Sequence, residues 1–172
     1  ARQMPALGAV DALPAHVLAA NRLVYECSYG TVMPGVAGIE TPCLLETRLV
    51  RKTDLWVLTS SVLQMADQLT GTYSSTESSN VIVAAGHGGY YADTRLLAGL
   101  EAGMTLDVDP VTGIRTTVSY ADGSVVAILE ESNAERKTFV YDLANGWLLR
   151  LVTEQFLMMS TLTTRFDLVS VE

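Results

Sequence analysis

The stretch IRTTVSYADGSVVAILEESNAERKTFVYDLANGWLLRLVTEQ, residues 114–155, decides the fold class of this chain. Residues 114–121 alternate with a period of two, which is the period of a β-strand. Asp122-Gly123 and Asn145-Gly146 are signals for two-residue hairpin turns, and residues 132–135 form a third polar turn. The stretch therefore predicts four antiparallel strands joined by tight turns.

The same rhythm extends outward in both directions, with strands recurring every 10–12 residues or so. Further strands are predicted at residues 21–29, 43–52, 55–65, 67–76, 81–85, 104–108 and 162–171. Clusters of glycine, proline and serine predict loops at residues 30–42 and 74–80, and a glycine-rich loop at residues 86–91. One or two helical turns could form at residues 14–20, and a short helix is predicted at residues 94–102, begun by Thr94 and ended by Gly103.

These elements predict an all-β protein with one short helix. We expect an extended arm at residues 1–13 and a single antiparallel domain at residues 14–172. Its nine or ten strands would form a meander that closes into a barrel or curves strongly into a half-barrel, with a two-sheet sandwich as the alternative. The strand rhythm resembles that of lipocalin-like proteins and of periplasmic lipoprotein carriers. No shared motif accompanies this resemblance, so no residue role is transferred from it.

Composition excludes several classes of function. The chain has 172 residues, of which 49% are hydrophobic and 17% charged, and its net charge is −8. An acidic chain with only two lysines, Lys52 and Lys137, has no basic stripe for nucleic acid. No apolar run reaches the roughly 20 residues of a spanning helix, so we expect a protein that does not span the membrane.

Two cysteines bear on the cellular compartment in which the protein is expected. Cys27 and Cys43 lie in two predicted strands, 16 residues apart in sequence. A disulfide between these strands would place the protein outside the cytoplasm, in the periplasm or secreted, and a lipid anchor before processing is compatible with that location. Two buried free thiols in a cytosolic protein are the alternative. No pattern of metal ligands is present, so neither a metal nor another cofactor is predicted.

Aromatic residues are the candidates for a binding site. His87 lies between glycines and is followed by Tyr90 and Tyr91, which predicts a lid over a cavity mouth. Trp56, Tyr120 and Phe139 could line the interior of the sheet. Five further aromatic residues could share that interior or serve only the core: Tyr25, Tyr29, Tyr141, Trp147 and Phe166.

Three functions remain open. The first is an extracytoplasmic binding module for a lipid, a lipoprotein's acyl chain or another apolar small molecule, because several strands are apolar on both faces. The second is a structural or interaction subunit of the cell envelope that meets a protein partner, or a second copy, through a sheet edge or an apolar face. The third is an isomerase or cyclase acting in the cavity, with His87, Tyr90 or Tyr91 as acid or base. No catalytic motif is present, which favours the first two.

Overall fold

Ten strands and two short helices make up the described part of the chain. The computed structural model describes residues 12–67 and 70–172, apart from the side chain of Ala37. The elements are α1 (Ala15–Ala19), β1 (Arg22–Met33), β2 (Val36–Lys52), β3 (Trp56–Ala66), β4 (Tyr73–Val83), α2 (Thr94–Leu97), β5 (Thr105–Val108), β6 (Arg115–Ala121), β7 (Val125–Glu131), β8 (Glu135–Asp142), β9 (Leu148–Phe156) and β10 (Thr161–Val171). Of the predicted arm, only Ala12 and Leu13 are described, and Leu13 is buried.

All ten strands form one sheet in the order β4-β3-β2-β1-β10-β9-β8-β7-β6-β5. All hydrogen-bonded strand pairs are antiparallel. Each pair joins strands that are consecutive in sequence, except the pair of β1 with β10, which joins the two halves of the chain. β4 and β5 are the two edges and do not pair, so the sheet is open. The predicted antiparallel meander is confirmed, and the two-sheet alternative is wrong because all strands belong to a single sheet.

The sheet is curved rather than flat. Side chains of β4 and β8 line the same cleft, although five strands separate them in the sheet. In a flat sheet six strand spacings would place them about 29 Å apart. The sheet therefore curves around its inner face as an open half-barrel.

The core lies on this inner, concave face in two clusters. One cluster is centred on Leu23, Tyr25 and Val57 and is covered by Val17 of α1. The other is centred on Val126, Ile128 and Tyr141 and is covered by Leu97 of α2. Alternation along each strand sends every second side chain to this face, which is why the sequence shows a period of two.

The segment between β4 and β5 crosses the concave face. Tyr91 forms a β-bridge with Trp147, and the Ala92 amide donates to the Gly146 carbonyl at 2.9 Å. Gly146 has a φ of +78°, and a Cβ there would collide with the Ala92 carbonyl oxygen. Only glycine allows this close approach, so the Asn145-Gly146 turn both reverses the chain and seats the covering segment.

Two predicted loops are strands in the structure. Residues 30–42 continue the β1–β2 hairpin, in which Gly30 pairs with Glu40 and Thr31 with Ile39. Residues 74–80 belong to β4, which is paired with β3 along its whole length.

The predicted helix at residues 94–102 is also shorter than expected. α2 ends at Leu97, and its N-cap is Asp93, whose side chain accepts from the Arg95 amide. Thr94 is the first residue of the helix instead. Gly99, with a φ of +81°, follows the helix end, so Gly103 does not terminate it.

Candidate ligand-binding cleft

A cleft of about 310 Å³ opens on the concave face between the two core clusters. Strands from both halves of the sheet contribute to it, and the glycine-rich loop covers part of it. Its apolar and aromatic lining consists of Tyr25, Leu45, Leu63, Tyr90, Phe139, Leu148, Leu151 and Phe166. The cleft therefore exists because the sheet curves while the covering segment fills only part of the space.

The polar side chains of the lining other than its tyrosines lie on one wall of the cleft. Thr76, Ser78 and Asn80 alternate along β4, so their side chains face the same side of the sheet. None of the described residues that line the cleft is charged. The cleft thus offers a mostly apolar surface with a short row of neutral hydrogen-bonding groups along one edge, which is the composition of a small-molecule site.

Buried hydroxyl groups connect the floor of the cleft to its lid. The Thr47 and Ser61 hydroxyls lie 2.8 Å apart, and the Ser61 hydroxyl lies 3.0 Å from the Tyr90 hydroxyl. Thr47 and Ser61 are 0% and 1% exposed. Since buried polar groups require partners, this chain fixes Tyr90 over β2 and β3.

A second tyrosine holds the glycine-rich loop from the other half of the sheet. The Tyr141 hydroxyl accepts from the Gly88 amide at 2.8 Å and donates to the Gly89 carbonyl at 2.9 Å. Burial raises the pKa of Tyr141 far above its ordinary value. The phenol therefore stays neutral and keeps the proton that its bond to Gly89 needs.

His87 lies beside the cleft rather than in its lining. Its Nε2 is 2.6 Å from Glu130 Oε1, and its ring meets that of Phe139 edge to face. The hydrogen bond from His87 lowers the pKa of the Glu130 carboxyl, against a smaller opposing effect of burial. His87 Nδ1 is buried without a partner among the described residues. The pair holds the loop against β7, and His87 is not among the residues that line the cleft.

The predicted site residues separate into two groups. Tyr90 and Phe139 line the cleft, and His87 lies in the loop beside it. Tyr91 packs under the lid against Trp147. Trp56 lies on β3 opposite Val83, and Tyr120 bonds Asp122 at an exposed hairpin. These last three side chains lie outside the cleft lining.

Six apolar or aromatic lining residues were not among the predicted site residues: Tyr25, Leu45, Leu63, Leu148, Leu151 and Phe166. The strand period indicates which residues share a face, and Tyr25 and Phe166 were among the aromatic candidates for an interior. Which strands meet across the cleft depends on β1 pairing with β10, a long-range contact that has no local signal.

The disulfide predicted between Cys27 and Cys43 is present. The two residues are directly paired across β1 and β2. Cys27 also lies opposite Phe166 of β10, and Cys27 is two residues beyond Tyr25 on the same face. The disulfide therefore crosslinks the two strands beside the cleft.

The described ranges contain neither a cluster of potential metal ligands nor a membrane-spanning helix. No group of three or more potential metal-binding side chains occurs there. In that same part of the chain, no helix has the length and apolar character needed to cross a membrane.

Comparison with known proteins leaves the family open. The chain matches no known family profile and no curated protein. Among solved structures it is similar to a LolA superfamily protein from Nitrosomonas europaea, over 88% of this chain and 86% of that one. The sequence identity is 10% and the TM-score is 0.26. A TM-score this low does not assign a family, so the function is inferred from the cleft.

Proposed function

We propose that this protein is a binding module that holds one apolar small molecule, such as a lipid or an acyl chain, in the cleft on its concave face. The observation that carries the proposal is the lining, in which eight apolar or aromatic side chains meet and none of the described residues is charged. Burying a ligand there gains about 0.8 kcal/mol for each CH₂ group removed from water.

The volume of the cleft limits the size of the ligand. Ligand pockets span about 300–1,000 Å³, so a volume of about 310 Å³ suits a small apolar molecule or part of one chain. The neutral groups Thr76, Ser78 and Asn80 favour a hydroxyl, ester or amide head over a carboxylate or phosphate. An ionised head would lose its hydration and find no counter-charge among the described residues of the lining.

An extracytoplasmic location belongs to the same proposal. The Cys27–Cys43 disulfide supports it, because such bonds persist in oxidising compartments. A catalytic role is less well supported by the geometry. Of the three residues considered as acid or base, only Tyr90 lines the cleft, and its hydroxyl is bonded to Ser61.

Binding of the neutral fluorescent probe N-phenyl-1-naphthylamine tests the proposal. The wild type should enhance the probe's fluorescence, and a neutral monoacylglycerol should displace it more readily than a fatty acid. Leu63→Trp should fill the cleft and weaken binding roughly tenfold, which corresponds to about 1.4 kcal/mol.

Val62→Trp is the matched control. Val62 is the neighbouring residue on β3 but lines the opposite face of the sheet. Its substitution should leave probe affinity unchanged. A wild type that does not bind the probe, or equal affinities of the two variants, would show that the cleft is not a ligand site.

A further inference from the structure

The chain of hydroxyl groups formed by Thr47, Ser61 and Tyr90 contains one more proton than it has hydrogen bonds. Its two bonds join Thr47 Oγ1 to Ser61 Oγ at 2.8 Å and Ser61 Oγ to Tyr90 Oη at 3.0 Å. Each hydroxyl carries one proton, and none of the three has another hydrogen-bond partner among the described residues. One of the three protons therefore has no acceptor within this chain of hydroxyls.

Burial decides which hydroxyl keeps that proton. Thr47 and Ser61 are 0% and 1% exposed, and a buried donor without an acceptor costs the free energy of its lost hydration. Only one arrangement avoids this cost: Thr47 donates to Ser61, and Ser61 donates to Tyr90. The Tyr90 hydroxyl then accepts from Ser61 and keeps its own O–H free. Because Tyr90 is partly exposed and lines the cleft, this O–H is available to a bound molecule.

The side-chain amide of Asn80 is oriented by the backbone. Its Oδ1 accepts from the Val81 amide at 2.8 Å, and a backbone N–H can bond only to the oxygen end of a carboxamide. The Asn80 backbone carbonyl accepts from the buried Thr59 hydroxyl at 3.1 Å, which ties this point of β4 to β3. The Asn80 Nδ2 group has no hydrogen-bond partner within the described ranges. Since Asn80 lines the cleft, it also offers N–H donors to a ligand.

The other polar groups of the lining do not reverse this pattern. The Tyr25 hydroxyl donates to the Leu148 carbonyl at 2.8 Å, so its proton is already used. The hydroxyls of the polar wall on β4 can either donate or accept. Tyr90 and Asn80 therefore set the requirement. A ligand that displaces water from their donors must supply an acceptor, or it leaves those donors unpaired.

We propose that the cleft selects apolar molecules that carry a neutral carbonyl oxygen, as an ester, an amide or a ketone does, and that Tyr90 Oη and Asn80 Nδ2 donate hydrogen bonds to the ligand. This inference rests on the proposed function and narrows its ligand class. A carbonyl oxygen accepts and never donates, which matches the two donors. A hydrocarbon of the same length would leave both donors without a partner, which disfavours it in this site.

Displacement of N-phenyl-1-naphthylamine by 2-octanone and by octane tests the inference on the full chain. The two ligands have carbon chains of equal length and differ in the carbonyl oxygen. Tyr90→Phe and Asn80→Ala should each weaken binding of 2-octanone about three- to tenfold and leave binding of octane almost unchanged, because each removes one donor. Comparing the two ligands in one variant cancels any change in packing that the substitution causes.

Ser79→Ala is the matched control on β4. Ser79 is the neighbour of Asn80, but it pairs with Ser60 on the opposite face of the sheet. Its substitution should leave the affinities for both ligands unchanged. Infrared spectroscopy supplies a second readout, in which the carbonyl stretch of bound 2-octanone should lie at lower frequency than in hydrocarbon solvent and should rise in both donor variants. A residue that only supports the fold would not move this frequency.

The outcomes separate this inference from the proposed function. If both ligands bind but each donor variant affects them equally, if Ser79→Ala weakens ketone binding as much, or if the carbonyl stretch matches that in hydrocarbon solvent, donor recognition is wrong and apolar binding stands. If neither ligand nor the probe binds, both proposals are wrong. Should Tyr90→Phe fail to fold, Asn80→Ala still decides, because among the described residues the Asn80 side chain bonds only the neighbouring Val81 amide on an exposed edge strand.

Discussion

Single hydroxyl groups decide how Tyr90 is held over the cleft. Ser61 is the central member of the chain formed with Thr47 and Tyr90. Ser61→Ala should lower the free energy of unfolding by about 1–3 kcal/mol, because it leaves the buried Thr47 hydroxyl and the partly buried Tyr90 hydroxyl without their partner. Urea unfolding at equilibrium measures this change.

Ser60→Ala provides the comparison for that variant. Ser60 is the adjacent, exposed residue on the opposite face of β3. Its substitution should change stability by less than about 0.5 kcal/mol. Equal effects of the two variants would contradict a structural role for the buried hydroxyl chain.

Glu46 makes a pH-dependent contribution at the same scale. Hydrogen bonds from Arg22 and then Arg48 lower the pKa of its carboxyl from 4.5 to about 2. A group with a lowered pKa stabilises the folded state above its unfolded value and loses that contribution as the pH falls through the folded value. The stabilisation by Glu46 is therefore complete above about pH 4.5 and is lost toward pH 2.

Glu46→Gln should remove this pH dependence. Between pH 7 and pH 2 the variant should lose less stability than the wild type, by up to about 1 kcal/mol once solvent screening of this partly exposed pair is included. Urea unfolding across that range measures the difference. Glu101→Gln, in an exposed turn, should follow the wild type, and parallel curves for Glu46→Gln and the wild type would refute the prediction.

At the scale of elements, Tyr141 fastens the glycine-rich loop to β8. Tyr141→Phe removes both hydrogen bonds of its hydroxyl, to Gly88 and Gly89. The amides of residues 86–90 should then exchange hydrogen for deuterium roughly tenfold faster, because loss of about 1–2 kcal/mol makes local opening more frequent.

Tyr120→Phe is the control for this exchange measurement. Its hydroxyl also has a hydrogen bond, but to Asp122 in an exposed hairpin. Exchange in residues 86–90 should be unchanged in that variant. Unchanged exchange in Tyr141→Phe would mean that the other contacts of the loop, the His87–Glu130 pair and the Ser61–Tyr90 hydroxyl contact among them, are enough to hold it.

The elements also show where sequence patterns predict structure and where they do not. The hairpins near Asp122-Gly123 and Asn145-Gly146 follow from local turn chemistry, but their loops differ from the two-residue turns that the sequence predicts. Asp122 bonds Val125 around residues 123–124, and Asp142 bonds Trp147 around a four-residue loop, residues 143–146. The strand extension through residues 30–42 does not follow from local sequence, because glycine and proline usually interrupt strands and this stretch contains Gly30 and Pro42. Pro42 is tolerated since β3 pairing begins only at Cys43, which leaves β2 an edge there. Gly30 suits its place in β1 because there is no room for a side chain: a Cβ there would lie 2.8 Å from the Ile39 carbonyl oxygen.

The middle of β4 was predicted as a loop for a different reason. Residues 74–80 are polar and exposed on both faces, so they lack the alternation by which a half-buried strand is recognised. Backbone pairing with β3 along the whole strand supplies the stabilisation instead. For the same reason only part of the cleft lining could be predicted from the sequence. Tyr90 and Phe139 were chosen for their chemistry, whereas the polar wall on β4 depends on a strand that the pattern hid.

At the scale of the whole molecule, the open sheet leaves a long edge at β4. Glu77 is the only charged residue in that strand. Charged side chains on edge strands oppose pairing with a second sheet. Glu77→Val should therefore increase self-association, which light scattering after size-exclusion chromatography measures.

Glu26→Val is the matched variant for the edge. Glu26 is equally an exposed glutamate, but it lies on β1, which is paired on both sides. This variant should stay in the same oligomeric state as the wild type. If both variants associate to a similar extent, the cause of self-association would be the added hydrophobic side chain and not the unprotected edge.

The pairing of β1 with β10 has a consequence for how the protein is made. Each half of the sheet consists of sequential hairpins that can form as the chain emerges from the ribosome. The seam between the halves forms only when residues 161–171 are available, and the ion pair of Arg22 with Glu172 lies at its end. Until then β1 is itself an unprotected edge, with Tyr25 and Cys27 uncovered on their β10 side. Nascent chains should therefore remain dependent on chaperones until the last strand arrives, and the cleft exists only after that moment.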